Sequence, residues 1–406
     1  MRFVPDGPDI PNDLIRKWRE GSVLFLAGAG VSVPSNLPLF EGLALDVYKG
    51  LNDDLHGVLS KARKLQTPAA RKRALEAAYR SPARHVEATL FLEKQFDRFF
   101  SALEKRYDPD RKGRPKTRHV RNAVEKVLGG KSHSETHRDI LRLSVAANPY
   151  GDLSQPPTCR VVTTNFDLLF EEAWKAEFGS SAVSFDARIA PRSGAHDFAG
   201  IIHLHGSLSD DARGANYILS SRDFARMYLR SGVIGSYIYD LIRRYTLVLI
   251  GYSADDPPMR YLMDAIGEDA SLYDDMKKPY AITDLAETST EAIEQAVWSA
   301  KEITAIFFKR RAGNAFAPLW ESIHKWSEWA RDESSWLEAQ LRMHTTGRHQ
   351  EASPFQLAYV QDLLSVLTRD ELAHAIRFMT GLKVEFAWID AVSAAIEATK
   401  NPLNVG

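Results

Sequence analysis

Four short stretches, far apart in the chain, carry the residue types that handle phosphate, ribose and a proton. They are Gly28-Ala29-Gly30-Val31-Ser32, Thr163-Thr164-Asn165-Phe166-Asp167, His203-Leu204-His205-Gly206-Ser207, and Gly251-Tyr252-Ser253 with Asp256. A glycine turn brings main chain against a pyrophosphate, and its N–H groups meet the negative charge with the help of a following helix N-terminus. An asparagine offers both a donor and an acceptor, so Asn165 suits a ribose hydroxyl and a water held together. Histidine titrates near neutrality, which suits general-base work. Each stretch follows an apolar run that reads as a buried strand, and strand carboxyl ends are where an open α/β sheet binds its ligand. Together the four read as one dinucleotide pocket.

Each motif also has a plainer reading. Gly28-Ala29-Gly30 could be a strand-to-helix turn and nothing more. It is not the G-x-G-x-x-G fingerprint of a hydride-transferring dehydrogenase, because Val33 and Pro34 stand where its third glycine belongs. Asp167 could cap the next helix, or it could hold Asn165 or a ribose hydroxyl. Capping does not explain Asn165 itself, read here as exposed. His203 and His205 are two apart and would share one face of a strand; His203 reads as structural, and His205, last before Gly206, as the base. A histidine pair could ligate a metal, but no third ligand has a convincing spacing, and no metal site is expected. Thr164, Ser207 and Ser253 offer hydroxyls to phosphate or ribose. Asp256, before Pro257, reads mainly as a cap. Asp284, after Ala281-Ile282-Thr283, could contact an adenosine ribose.

The elements that must position these residues alternate strand with helix. Strands are predicted at Val23–Ala27, Arg160–Thr164, Ala182–Asp186, Ile201–His205, Thr246–Gly251, Pro279–Thr283 and Ile303–Phe308. Helices are expected between most of them, among them 168–178, 259–266 and 287–299. Such alternation argues for a parallel sheet covered on both faces, a Rossmann-like α/β fold. Asn12–Glu20 reads as a first helix with Asn12 as its N-cap. Between about 40 and 150 apolar residues recur at helical spacing and no strand is expected, so this part reads as a helical insertion. After about Ala312 the strands stop. Trp320, Ile323, Trp326 and Trp329 suggest one helix, and three more are expected at Phe355–Leu367, Arg369–Thr380 and Phe386–Thr399. The expected organisation is a catalytic domain over 1–311 and a helical region over 312–406. The latter either serves self-association, making a homo-oligomer, or simply covers the sheet.

Composition sets the outer bounds. The 406 residues carry 52 Lys and Arg against 53 Asp and Glu, a formal charge of −1, so overall charge suggests neither nucleic acid nor membrane as partner. A basic stretch from Lys105 to Arg121 is either a solvated loop or a docking surface for nucleic acid or an acidic partner. The single cysteine, Cys159, excludes an internal disulfide and a cysteine-built zinc site. The N-terminus lacks the apolar core of a signal peptide, and no run approaches the ~20 residues of a membrane span. A cytoplasmic protein is expected.

At this point the residues resemble the sirtuin fold, and in particular the NAD-degrading sirtuin-like domains of prokaryotic anti-phage defence proteins. Those carry G-A-G-x-S, T-x-N-[YF]-D, H-G-S and G-Y-S-x-x-D segments, and all four occur here in that order. The resemblance implies Asn165 and His205 as catalytic. It implies Gly28, Ala29, Gly30, Ser32, Asp167, Gly206, Gly251 and Ser253 as nucleotide-contacting or pocket-shaping. It implies NAD as substrate and its hydrolysis to nicotinamide and ADP-ribose. The four-cysteine zinc module of the protein-deacylating members cannot form here, which disfavours deacylation. Protein ADP-ribosylation, or NAD sensing without turnover, stand as alternatives. Many members are fused to a long sensor region; the short helical tail here implies a trigger from a separate partner, such as a HerA-like hexameric ATPase.

Overall fold

Strands buried on both faces read as unbroken apolar runs, and the central strands here do so: Leu247-Val248-Leu249-Ile250 is buried throughout. The computed structural model describes residues 1–51, 55–65, 67–76, 81–109, 118–146, 157–192, 199–208, 217–253, 263, 267–268, 277–286 and 288–400. Its strands are β1 (Val23–Ala27), β2 (Val145–Ala146), β3 (Thr158–Thr163), β4 (Ser184–Asp186), β5 (Gly200–His203), β6 (Thr246–Ile250), β7 (Tyr280–Leu285) and β8 (Thr304–Lys309). Seven form a parallel sheet in the order β4-β5-β3-β1-β6-β7-β8. The expected Rossmann-like α/β fold is therefore present. β2 was not expected; its two residues pair antiparallel with Cys159 and Thr158 of β3. Two residues are too few to leave a periodic signal.

Side chains alternate between two cores. Phe25, Ala27, Val161, Ile201, Val248, Ile250, Ile282 and Ile306 enter one. Leu24, Leu26, Val162, Ile202, Leu247, Leu249, Ala281 and Ala305 enter the other. The second core is closed by the helix Val233–Arg244, through Ile234, Ile238, Leu241 and Ile242. The first is closed by the helices Asn12–Arg19, Glu135–Leu143, Leu169–Phe178 and Ala317–Arg331. Trp326, fully buried, stands edge-on to Phe25 of β1 at 5.8 Å between ring centroids. Trp329 stacks on Trp336 at 4.7 Å.

The C-terminal helices Glu333–Thr345, Pro354–Ser365, Arg369–Leu382 and Phe386–Lys400 extend this same core. The first of them was not expected from the sequence. The tail is also tied to the first helix: Asn12 Nδ2 donates to Asp362 at 3.1 Å and to Ser365 at 2.9 Å, and Arg19 donates to the Val366 carbonyl at 2.7 Å. Asn12 is thus not the N-cap it was expected to be; Pro11 holds that place. Among the described residues no helix is long and apolar enough to cross a membrane.

The insertion divides. Helices from Phe40–Gly50 to His119–Leu128 build a third core with Phe99, Phe100, Leu103 and Val124. Phe166 and Leu169, just past β3, and Tyr217 and Leu219 join it, so this module packs beside the strands' carboxyl ends. The helix Glu135–Leu143 belongs instead to the sheet. Its buried Asp139 accepts from Arg142 at 3.0 Å, Ser327 at 2.7 Å and His324 at 3.1 Å, which clamps it to Ala317–Arg331. Three described arginines of the basic stretch are engaged in ion pairs: Arg106 with Glu87 at 2.7 Å, Arg118 with Glu125 at 3.0 Å, and Arg121 with Glu104 at 3.2 Å and with Asp223. Residues 110–117 lie outside the described residues.

Candidate functional site

The strand order reverses at β1. From β1 the chain lays β3, β4 and β5 on one side, then returns to β6 on the other. Such a switch point leaves a crevice at the carboxyl ends of the strands. Two glycine turns meet there. Gly28 N–H donates to the Ile250 carbonyl and Gly30 N–H to the Gly251 carbonyl, both at 2.9 Å. A Cβ on Gly30 would lie 2.7 Å from Gly251 Cα, and one on Gly251 would lie 2.7 Å from Val31 N. Gly251 also has φ +62°, a left-handed conformation that favours glycine. The expected pyrophosphate cradle needs correcting here. The Gly28, Gly30 and Val31 N–H groups are spent within the two turns, and the next element is a 3-10 helix, Ala29–Ser35, rather than an α-helix. The glycines provide close approach between turns.

Asn165 is buried, not exposed as expected. Its N–H donates to Thr163 Oγ1 at 3.0 Å, and Thr163 Oγ1 donates to the Ala27 carbonyl at 3.0 Å. Its side-chain Nδ2 donates to the Gly28 carbonyl at 3.2 Å and to Ser32 Oγ at 3.0 Å. Ser32 Oγ in turn donates to Asp167 Oδ2 at 3.0 Å. Asp167 Oδ1 accepts from Leu169 N–H at 3.2 Å while Oδ2 holds Ser32; Asp167 is not the cap it could have been, because Leu168 holds the N-cap place of the helix Leu169–Phe178. Burial pushes the Asp167 carboxyl above its ordinary value. A carbonyl oxygen can only accept, so the bond to Gly28 decides which end of the Asn165 amide is nitrogen. Among the described residues Oδ1 has no bonding partner, which leaves that end for a ligand.

β5 ends at His203, and His205 lies in the turn beyond it, so the two histidines do not share a strand face as expected. His203 is structural: Nδ1 meets the Asn165 carbonyl at 3.0 Å and Nε2 meets Glu171 Oε1 at 2.8 Å. Burial alone would lower the His203 pKa, but the Glu171 bond outweighs it and holds it above the ordinary value. Burial would raise Glu171, and the same bond holds it down. His205 is buried, stands edge-on to Phe224 at 5.3 Å, and bonds Tyr228 OH through Nε2 at 2.8 Å. β3 and β5 are adjacent, with Thr163 opposite His203, so Asn165 and His205 leave neighbouring strands two residues further on.

The remaining candidates are more scattered. Thr164 N–H donates to the Ala27 carbonyl at 3.1 Å. Gly206 takes φ +75° and turns the chain after His205, with Ser207 half-buried beside it. Ser253 is exposed, and its carbonyl accepts from Lys301 at 2.9 Å. Asp284 lies on β7 and is held by Arg310 at 2.6 Å. Asp256, and all but Met263 of the expected helix 259–266, lie outside the described residues.

Three residues that the sequence did not single out enter the site. His137, on the helix Glu135–Leu143, reaches Ser32 Oγ at 3.3 Å. Glu171 supports His203. Tyr228 sits on a π-helical turn, Ala225–Arg230, an irregularity frequent at functional sites. A small pocket opens beside His205, lined among others by Asp186, Arg188, Tyr217, Arg226 and Met227. Among the described residues one trio, Glu135, Asp139 and His324, could approach a metal ion. The Arg142 guanidinium bonds both carboxylates, at 2.8 and 3.0 Å, and fills that space with positive charge, so we read it as the interhelical clamp.

The parallel sheet order and the interlocked glycine turns at the switch point define a Rossmann-like α/β protein. Residues 160–306 match the SIR2-like domain family, which supports a sirtuin-like kinship and NAD-related chemistry. The chain is also similar to the Uncharacterized protein y4cA of Sinorhizobium fredii (strain NBRC 101917 / NGR234), 30% identical over 331 residues. That alignment covers 80% of this chain and 24% of the other, so the chain spans about a quarter of its relative's length.

Proposed function

We propose that this chain hydrolyses NAD at the nicotinamide–ribose bond, giving nicotinamide and ADP-ribose. The observation that carries the reading is Asn165, whose amide has both N–H groups spent on Gly28 and Ser32 and Oδ1 left over. Nicotinamide leaves as a neutral molecule, so no acid is required; the barrier lies in the oxocarbenium-like sugar. Asn165 Oδ1 accepts from a ribose hydroxyl and from the attacking water. Water oxygen bonds C1′ as the C1′–N bond breaks, and His205 takes the proton that water loses. The Tyr228 hydroxyl then passes it to bulk solvent.

General-base help is worth about 10²–10⁴-fold. Asn165→Ala and His205→Ala are therefore expected to lower nicotinamide release at least about 100-fold in chains that still fold, with Asn165→Ala also lowering the thermal midpoint through the bonds it loses. Tyr228→Phe, losing the relay and the bond that orients His205, is expected to lower kcat about tenfold and leave KM nearly unchanged. Label transferred from NAD to protein would favour ADP-ribosylation instead.

The same proposal extends to purpose. NAD depletion would serve anti-phage defence, triggered through a partner such as a HerA-like ATPase; support for this is the four-motif resemblance. For assembly as a homo-oligomer, support is the exposed Met343 and Phe386 on the C-terminal helices. Nicotinamide release with and without the partner, and the mass of the chain in solution, test the two.

A further inference from the structure

We propose that His137 is a positioning residue that, through Ser32, holds in place the Asn165 amide whose direction the Gly28 carbonyl selects, an inference that rests on the NAD-cleaving reading only for its kinetic consequence. The proton positions are fixed by groups with one possible role. Ser134 main-chain N–H must donate, and it meets His137 Nδ1 at 3.2 Å; Nδ1 is therefore the acceptor. The ring's single proton then sits on Nε2, which points at Ser32 Oγ, 3.3 Å away. Ser32 Oγ also receives Asn165 Nδ2 at 3.0 Å. Its two lone pairs are then occupied, and its own proton goes to Asp167 Oδ2 at 3.0 Å. Nothing in the network can rotate without leaving a buried polar atom unpaired, and that is costly.

His137 is fully buried and packs edge-on to Phe170 at 5.0 Å. Burial, with His133 nearby, pulls its pKa down to about 4, which agrees with a neutral ring but does not carry the argument. The residue comes from a helix outside the SIR2-like match at 160–306. That helix is clamped by Asp139 to Ala317–Arg331, so a remote part of the chain helps aim the site.

The test compares the parent with His137→Phe, which keeps a packing ring but no donor, and His137→Gln, which restores an N–H. One readout is the pair of ¹H–¹⁵N side-chain resonances of Asn165, assigned by their loss in Asn165→Asp. The other is steady-state nicotinamide release. His137→Phe is expected to move both resonances and to lower kcat about tenfold, the scale of one hydrogen bond, with KM within about twofold. His137→Gln is expected to recover most of both. A folded His137→Phe with unmoved Asn165 resonances and the parent kcat overturns the proposal. Should His137→Phe not fold, Ser32→Ala breaks the same link from another element; unmoved Asn165 resonances there overturn it equally. If the parent releases no nicotinamide, the functional reading fails, and the resonances still decide the role of His137.

Discussion

The Asn165 amide has its direction already chosen by the Gly28 carbonyl. Its asparagine chemistry, and that of Ser32 and Asp167, was legible in the sequence because motif residues two or so apart at a strand end share a neighbourhood. Their mutual bonding was not: Ser32 and Asp167 are 135 residues apart, and no local pattern encodes that. His137 and Tyr228 were missed for the same reason. Each looks like an ordinary helical residue, and each reaches the site only through tertiary packing. The glycines read as a ligand cradle in the sequence, whereas their first constraint is each other. Gly251→Ala adds a methyl against Val31 N at a left-handed φ, so it is expected to cost about 2 kcal/mol or more. A drop in the thermal midpoint, accompanied by weaker NAD binding, checks this; an unchanged midpoint contradicts it.

At the scale of elements, the strands were the most legible part. Parallel strands buried on both faces stand out as apolar runs, and the predicted strands all lie within a residue or two of the observed ones. His205 shows what such a shift costs: ending β5 two residues early removes it from the strand face and hands its orientation to Tyr228. The Met259–Ile266 expectation falls outside the described residues. Beneath the site, His203 and Glu171 join β5 to the helix Leu169–Phe178. His203 has its pKa raised, so its contribution is complete below the ordinary histidine value and is lost as pH rises through the raised one. Glu171 is lowered, so its contribution is present above the ordinary glutamate value and lost as pH falls through the lowered one. Stability should therefore peak in mildly acidic solution. Glu171→Gln is expected to flatten that peak and to cost about 2–3 kcal/mol, below the usual 3–5 for a buried pair because Glu171 is 20% exposed. Thermal midpoints from pH 5 to 9 check it.

Across the whole molecule, one hydrophobic core runs from β1 to the C-terminal helices. The sequence left open whether those helices cover the sheet or serve assembly; the packing of Trp326 and Trp329 makes them a cover, which leaves assembly to the exposed side chains. Amphipathic periodicity marks a buried face without naming what buries it. Trp326→Ala is expected to cost about 3–5 kcal/mol, seen as a fall in the denaturant midpoint far larger than a tail serving assembly alone would give. The helical module over Phe40–Leu128 and the clamp at Asp139 bring remote segments to one cleft, and the chemistry of that cleft is the central claim. Nicotinamide release from NAD by the parent, Asn165→Ala and His205→Ala, each with its thermal midpoint, puts this to the test. The expected result is turnover by the parent and at least about a 100-fold loss in both variants while each still unfolds cooperatively; parent-rate release by either variant would contradict it.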